Sequence, residues 1–422
     1  MRVAVVGGGW AGLAAAVRAS QCGHEVTLLE MAGQLGGRAR SIEVDGRRLD
    51  NGQHILIGAY TRTLALMATV QADILGGLER RALELRYPDG HGLRVPVGAS
   101  AFGFVRAVLG AKGWSARDRV ALLAAAMRWA LAGFRCAPEL TVAELCHALP
   151  RTVRESLIEP LCVAALNTPA SQASAAVWLR VLHDALFGAP GSADFLLPRR
   201  PLSALLPEPA ARWLHRRGVD LRLGVRAQSL EREAHGWRLN GESFGTVVLA
   251  CTAAEAARLA AEHAPAWSRQ ALALHYEPIV TVYLHCAGAR LPVPMMSLRE
   301  GPAAPAQFGF DHGALGASAG VFAFVVSGAR AWVDAGLAAT AAAVQRQAYE
   351  AFAAPTWPTP PTLLHVAAEK RATFRCVPGL VRPPTEIAPG LLAAGDYVLG
   401  PYPATLEGAV RSGEAAAARL GG

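Results

Sequence analysis

An α/β fold interrupted by an α+β insertion is predicted, on three observations. The chain opens with an apolar strand, Val3 to Val6, that runs directly into Gly7-x-Gly9-x-x-Gly12. A second strand-like run, Glu25 to Leu29, ends on an acid, Glu30. Near the other end, Leu391 to Ala394 reads as a buried strand that also stops on glycine, Gly395-Asp396.

Each element has a physical job. Gly7 allows a tight turn, Gly9 lets backbone N–H groups approach a pyrophosphate, and Gly12 lets helix and strand pack closely. The small-residue segment from Leu13 to Ser20 reads as the following helix. Its N-terminus, with Ala11 in the first turn, adds partial positive charge for phosphates. Glu30 falls about 20 residues on, where a carboxylate meets ribose hydroxyls. Together these predict dinucleotide binding. A second glycine pair follows in Leu35-Gly36-Gly37-Arg38, giving another close backbone approach and a cation. Asp45-Gly46 suits a type I′ hairpin turn between Ala39–Val44 and Arg47–Asp50, and Asp50-Asn51-Gly52-Gln53-His54 comes next.

On these pieces the chain resembles the glutathione-reductase-type flavoproteins of the amine oxidase and phytoene desaturase superfamily. The resemblance implies FAD as cofactor, held by a Rossmann-like domain, and a C-terminal motif that closes the site. That motif is matched by Gly395-Asp396-Tyr397 and by Glu407-Gly408-Ala409 before an Ala-rich helix. It implies that Gly36, Gly37, Arg38, Gly52, Gly395, Asp396, Glu407, Gly408 and Ala409 join Gly7, Gly9, Ala11, Gly12 and Glu30 around the cofactor. It also places the adenine near Val225. Thr252 stands where relatives commonly carry proline.

The resemblance extends to the squalene-associated flavoproteins, the hydroxysqualene dehydroxylases of bacterial hopanoid pathways. It rests on Asp50 to Tyr60, on Glu159 to Pro169 with Ala173-Ser174, and on Asp194 to Pro198 with Leu202-Ser203. It implies reductive removal of an allylic hydroxyl from hydroxysqualene, a long-chain isoprenoid bound in an apolar tunnel, with reducing power from an electron donor the sequence does not name. The same motifs serve an isoprenoid desaturase running in the opposite redox direction, and that alternative stays open. An amine oxidase is disfavoured, because the insertion is rich in Ala and Leu and poor in aromatics. A non-catalytic FAD-bearing carrier would not need the complete three-part cofactor site.

Proton donors are few. His54 follows the Asp50-x-Gly52 turn and is the candidate catalytic residue; a role holding the loop by hydrogen bonding is the equal alternative. Asn167, in an Asn-Thr-Pro turn, reads as a structural cap. Asp311-His312 reads as a surface turn, and Tyr397 and Tyr402 flank the C-terminal cofactor loop.

The 422 residues, 52% of them hydrophobic, leave room for two domains with a large core. The FAD domain is expected from 1–75, 200–265 and 380–422. The substrate domain is expected from 76–199, mainly helical, and 266–379, rich in strands. Helices are expected from Ala101 to Leu109 and Arg117 to Phe134, with a capping box at Thr141-x-x-Glu144. Strands are expected at Ile279 to Leu284 and Val321 to Val326.

The formal charge of +8 comes without a basic run interleaved with aromatics, so no nucleic-acid partner is expected. Peripheral contact with an anionic membrane surface is compatible with it, and Trp114, beside Lys112 and Arg117, is the candidate exposed anchor. The seven cysteines show neither a C-x-x-C pair nor metal-ligand spacing. They read as reduced thiols of a cytoplasmic protein, with no metal. Neither a signal peptide nor an apolar run of about 18 residues is seen, so no membrane-spanning helix is expected.

Overall fold

The computed structural model describes residues 1–99, 101–352 and 357–420. Strands β1 (Arg2–Val6) and β2 (Glu25–Glu30) flank helix α1 (Trp10–Gln21). The helix is rich in alanine, the best helix former, and it stops where Gly23, at φ +80°, takes the left-handed conformation that L side chains avoid. The hairpin strands β3 (Ser41–Val44) and β4 (Arg47–Asp50) follow, with Asp45 and Gly46 both at positive φ as a type I′ turn requires. Next come α2 (Thr61–Thr69), α3 (Ala101–Leu109) and α4 (Ala116–Leu131).

Beyond them lie β5 (Asp220–Leu223), β6 (Thr246–Leu249) and α5 (Ala253–Ala260). Thr252, in the position of the expected proline, accepts a hydrogen bond from the Glu255 N–H and caps α5. A long antiparallel stretch contains β7 (Tyr276–His285), β8 (Met295–Ser297), β9 (Phe308–Asp311), β10 (Val321–Val326), α6 (Leu337–Phe352) and β11 (Thr362–Phe374). The chain closes with β12 (Glu386–Ala388), β13 (Leu391–Ala393) and α7 (Leu406–Ala417).

The first sheet has six strands in the order β5-β2-β1-β6-β13-β12. All neighbours are parallel except the last pair. Its strands therefore come from three separated stretches of chain. Strand β6 is buried throughout, as expected for a parallel strand covered on both faces. Helices α1 and α7 lie against each other so closely that a Cβ on Gly413 would sit 2.1 Å from the Ala11 carbonyl oxygen.

The second sheet runs β8-β9-β10-β7-β11. Alternate residues of β7 divide it into two faces. Val280, Val282 and Leu284 join Phe322, Phe324 and Val326 in a core closed by α6. Thr281 and Tyr283 face the opposite way, toward Phe308, Phe310 and Ala323 of the main core.

Two expectations, on Trp114 and on Asp311-His312, are corrected. The stretch 76–199, mainly helical, also holds strands: Leu78–Arg81 pairs with Phe195–Pro198, and Leu83–Arg86 pairs with Gly92–Val95. The alternation Leu-Glu-Leu-Arg in the second pair buries one face, a period-two signal that outweighs the surrounding helical composition. Trp114 is not a surface anchor. It is buried in the main core, and its indole N–H donates to Ser156 Oγ at 3.1 Å. Asp311-His312 is not a surface turn either: Asp311 is fully buried and accepts the N–H groups of Leu291 and Ala314. The capping box at Thr141 and Glu144 is present with both reciprocal bonds.

Candidate active site

The glycines of the first turn are set by distances. A Cβ on Gly12 would lie 1.8 Å from the Gly7 carbonyl oxygen, and one on Gly7 would lie 2.6 Å from the Ala250 carbonyl oxygen. Both positions exclude side chains because backbone packs on backbone. Gly9 differs: its nearest neighbour would be the Gly37 Cα at 3.8 Å. Open space therefore adjoins Gly9, and no side chain caps the N-terminus of α1. The second glycine pair comes to the same place. Gly36 donates its N–H to the Gly8 carbonyl at 2.9 Å, and Gly36 and Gly37 both hold positive φ.

Glu30 is buried, and its carboxylate braces this loop. One oxygen accepts the Gly8 N–H at 2.7 Å and the other accepts the Ala32 N–H at 2.8 Å. Each oxygen keeps a further lone pair for a ribose hydroxyl. Val225 lies just past the end of β5, with its N–H donated to the Glu30 carbonyl at 3.0 Å.

Arg38 joins three segments. Its guanidinium meets Asp396 at 2.5 Å and donates to the carbonyls of Ala372 at 2.7 Å and Arg371 at 3.2 Å. Burial opposes its charge, but the Asp396 carboxylate outweighs that and raises the Arg38 pKa. At the C-terminal motif, Gly395 donates to Ser412 Oγ at 2.7 Å. Gly408 is dictated by packing, since a Cβ there would sit 1.9 Å from the Tyr402 carbonyl oxygen. The Gly408 N–H donates to Thr405 Oγ1, the cap of α7, and Ala409 donates to the Thr405 carbonyl.

Glu407 is fully buried, and its carboxylate is occupied by protein. It accepts the N–H groups of Arg62 and Thr63, the Thr63 hydroxyl and the Arg411 guanidinium. It thus satisfies orphan donors at the start of α2 and ties that helix to α7. The sequence motif points to Glu407 without revealing this partner.

The loop after β4 rests on the second sheet. Tyr283 donates its hydroxyl to the Asp50 carbonyl at 2.8 Å, and Gln53 donates its N–H to Thr281 Oγ1 at 3.3 Å. His312 Nε2 lies 3.1 Å from Gln53 Oε1. Of these, Thr281 and Tyr283 carry no motif that marks them as supports of the loop. The available signal was Thr281 and Tyr283 alternating with apolar residues in an otherwise apolar strand. Burial pushes the His312 pKa down to about 4 and lifts that of Asp50 to about 6, even though Asp50 accepts bonds from the Leu202 N–H and the Ser41 hydroxyl.

His54 Nδ1 sits 2.7 Å from the Gly52 carbonyl, beside the open face of Gly52. A carbonyl only accepts, so Nδ1 carries the proton and Nε2 is the free position. Burial, aided by the charge of Arg38 and opposed by the bond to Gly52, lowers the His54 pKa. Asn167, by contrast, ends a helix in the left-handed conformation. Its side chain bonds the Glu277 carbonyl, Thr373 Oγ1 and the Gly328 N–H, a structural tie.

The arrangement fits a bound FAD. Gly9 borders a cradle that a side chain would fill, α1 offers an uncapped N-terminus, and the fully buried Tyr397 hydroxyl has no hydrogen-bond partner among the described residues. The model of the flavin containing amine oxidoreductase family matches residues 10–421. The chain belongs to that family. Its cofactor is FAD, and it is an FAD-dependent oxidoreductase.

The flavoprotein is similar to the hydroxysqualene dehydroxylase of Sinorhizobium fredii, at 28% identity across 98% of this chain and 97% of the relative. It is 29% identical to the Rhodopseudomonas palustris protein of the same name, at the same coverage. Among solved structures, an oxidoreductase from Methanosarcina mazei superposes with a TM-score of 0.75 at 16% identity, covering 98% of this chain and 99% of that one. That likeness speaks to the fold alone. Among the described residues no cluster of candidate metal ligands occurs, and no helix is long and apolar enough to cross a membrane.

Proposed function

We propose that this flavoprotein removes the hydroxyl of hydroxysqualene reductively, giving squalene and water. The observation that carries the reading is full-length similarity to hydroxysqualene dehydroxylases on a site where an apolar-cored insertion leans on the loop from Asp50 to His54. We further propose a division into an FAD domain of 1–75, 200–265 and 380–422 and a substrate domain of 76–199 and 266–379. The cofactor contacts would come from Gly7, Gly9, Ala11, Gly12, Glu30, Gly36, Gly37, Arg38, Gly52, Val225, Gly395, Asp396, Glu407, Gly408 and Ala409. Of these, Glu407 would contribute through its backbone, its carboxylate being engaged at α2.

Reduced FAD, when bound, supplies the two electrons and the hydrogen that replace the hydroxyl. The chain's own residues do the rest. The allylic C–O bond breaks, and the oxygen needs a proton to leave as water. His54 Nε2 is the proposed source. Because Nδ1–H is committed to Gly52, proton delivery from Nε2 requires the imidazolium, which the lowered pKa disfavours near neutrality. Donation should therefore strengthen as pH falls. Tyr283, through its bond to the Asp50 carbonyl, would hold the loop that aims His54.

A substrate that is almost entirely hydrocarbon partitions into bilayers. The proposal therefore includes a cytoplasmic enzyme with peripheral membrane contact and a separate electron donor. The test is to supply chemically reduced holoenzyme with hydroxysqualene and extract the lipid. Squalene supports the reading. Unchanged lipid from enzyme whose FAD is intact contradicts it and turns attention to an isoprenoid desaturase.

A further inference from the structure

Helices α3 and α4 each bury one face in the same core, α3 through Phe104, Ala107 and Val108 and α4 through Leu122, Ala125 and Ala126. Their outward faces should then be polar, yet large apolar side chains stand there among the arginines. On α3, Phe102 is 72% exposed and Leu109 is 56% exposed. On α4, Val120, Met127 and Leu131 are 66%, 61% and 81% exposed. Their spacing of seven and four residues puts the α4 trio on one stripe about 16 Å long. Single exposed apolar side chains are ordinary, but a run of them along two packed helices marks a surface that meets something apolar.

The charges around the stripe say what that is. Arg94, Arg106, Lys112, Arg117, Arg128 and Arg135 surround it in sequence, and the only acid between Arg94 and Arg135 is Asp118. Asp118 is buried and consumed in the capping box with Ser115. Among the described residues, no ion pair engages Arg106, Lys112, Arg117 or Arg128. Arg106 and Lys112 also line a cavity of about 330 Å³ with Arg86, Arg94 and His91, beside the end of α3. Glu84, the acid in that lining, is already 2.9 Å from Arg86.

We propose that this face docks on a bilayer rich in anionic phospholipid. The α3–α4 stripe would sit at the acyl boundary, and the basic cavity would take a headgroup phosphate. The inference rests on the proposed function in one respect, that a bilayer holds the substrate. Its test involves no turnover, so the two fail separately.

FAD-loaded full-length protein is floated with vesicles of phosphatidylcholine alone, or with roughly one-third phosphatidylglycerol, at low and high salt. Partitioning onto the anionic vesicles should be at least about tenfold stronger and should fall with salt. Two double variants, Met127→Glu with Leu131→Glu and Arg106→Glu with Lys112→Glu, should each lose at least about tenfold while keeping flavin absorbance and Tm. Equal partitioning onto both vesicle types, or wild-type binding by either folded variant, overturns the proposal. So does self-association in sedimentation velocity that the Met127/Leu131 variant abolishes while the wild type ignores vesicles, since the occupant is then a second copy of the chain.

Discussion

Gly9 and Gly12 lie three residues apart in one motif, and the structure assigns them different consequences. An alanine Cβ at position 12 would meet the Gly7 carbonyl oxygen at 1.8 Å, where ordinary contact begins near 3.4 Å. Helix α1 would have to move from β1 by roughly 1.5 Å, and overpacking of this kind costs roughly 1–3 kcal/mol. Gly12→Ala should therefore lower Tm by a few degrees even without cofactor. At position 9 the backbone has φ −74° and ψ −179°, which alanine adopts freely, and the new Cβ would find its nearest neighbour at 3.8 Å. Gly9→Ala should leave the apoprotein Tm within about a degree, because it creates neither strain nor overlap. It should nevertheless weaken FAD binding about tenfold or more, since the methyl occupies space that the phosphates need. Thermal melts of apoprotein and flavin titrations separate the two effects. Gly9→Ala with wild-type FAD affinity would refute the placement of the pyrophosphate. Gly12→Ala with an unchanged apoprotein Tm would refute the packing argument.

Other outcomes follow from the same geometry. Glu407→Ala leaves the Arg411 guanidinium and the α2 donors without their partner. Breaking a buried charge pair costs roughly 3–5 kcal/mol, with the lower end expected because Arg411 is 31% exposed, and Glu407→Gln should cost less; urea unfolding reads both. Asp50 and His312 should oppose each other in acid. His312, with its folded pKa lowered to about 4, takes up protons more readily when unfolded, so stability falls as pH drops from 6.5 toward 4, by up to roughly 3 kcal/mol. Asp50, with its folded pKa raised to about 6, takes up a proton more readily when folded, so stability rises as pH drops from 6 toward 3.8 by a similar, roughly 3 kcal/mol amount. Urea midpoints of His312→Gln and Asp50→Asn across that window should show the two slopes separated, and parallel profiles would contradict the assignment. His54→Ala should retain FAD, lose turnover and lose the rise in rate at lower pH. Full turnover with an unchanged pH profile would remove His54 from proton delivery.

The local devices of the fold were legible because each is decided by neighbours in sequence. The turn at Asp45-Gly46 needs two residues tolerant of positive φ, the box at Thr141 and Glu144 closes over three residues, and Gly7-x-Gly9-x-x-Gly12 joins a strand to its own helix. What escaped was decided across the chain. Tyr283 reaches Asp50 over 233 positions, and Glu407 reaches Thr63 over 344. No periodicity in either segment names the partner. Trp114 misled for a related reason: its flanking Lys112 and Arg117 are exposed, but the indole turns inward to Ser156, 42 residues away. Asp311 carried a turn-like sequence, yet its carboxylate is the acceptor that allows that turn to be buried.

The measurement that tests the central claim most directly is an anaerobic single turnover. Holoenzyme with chemically reduced FAD is mixed with hydroxysqualene, flavin absorbance is followed, and the lipid is extracted at matched times. The account predicts squalene appearing in step with flavin reoxidation, one molecule for each flavin. Reduced flavin that persists beside unchanged hydroxysqualene, in enzyme that has kept its FAD, would contradict it.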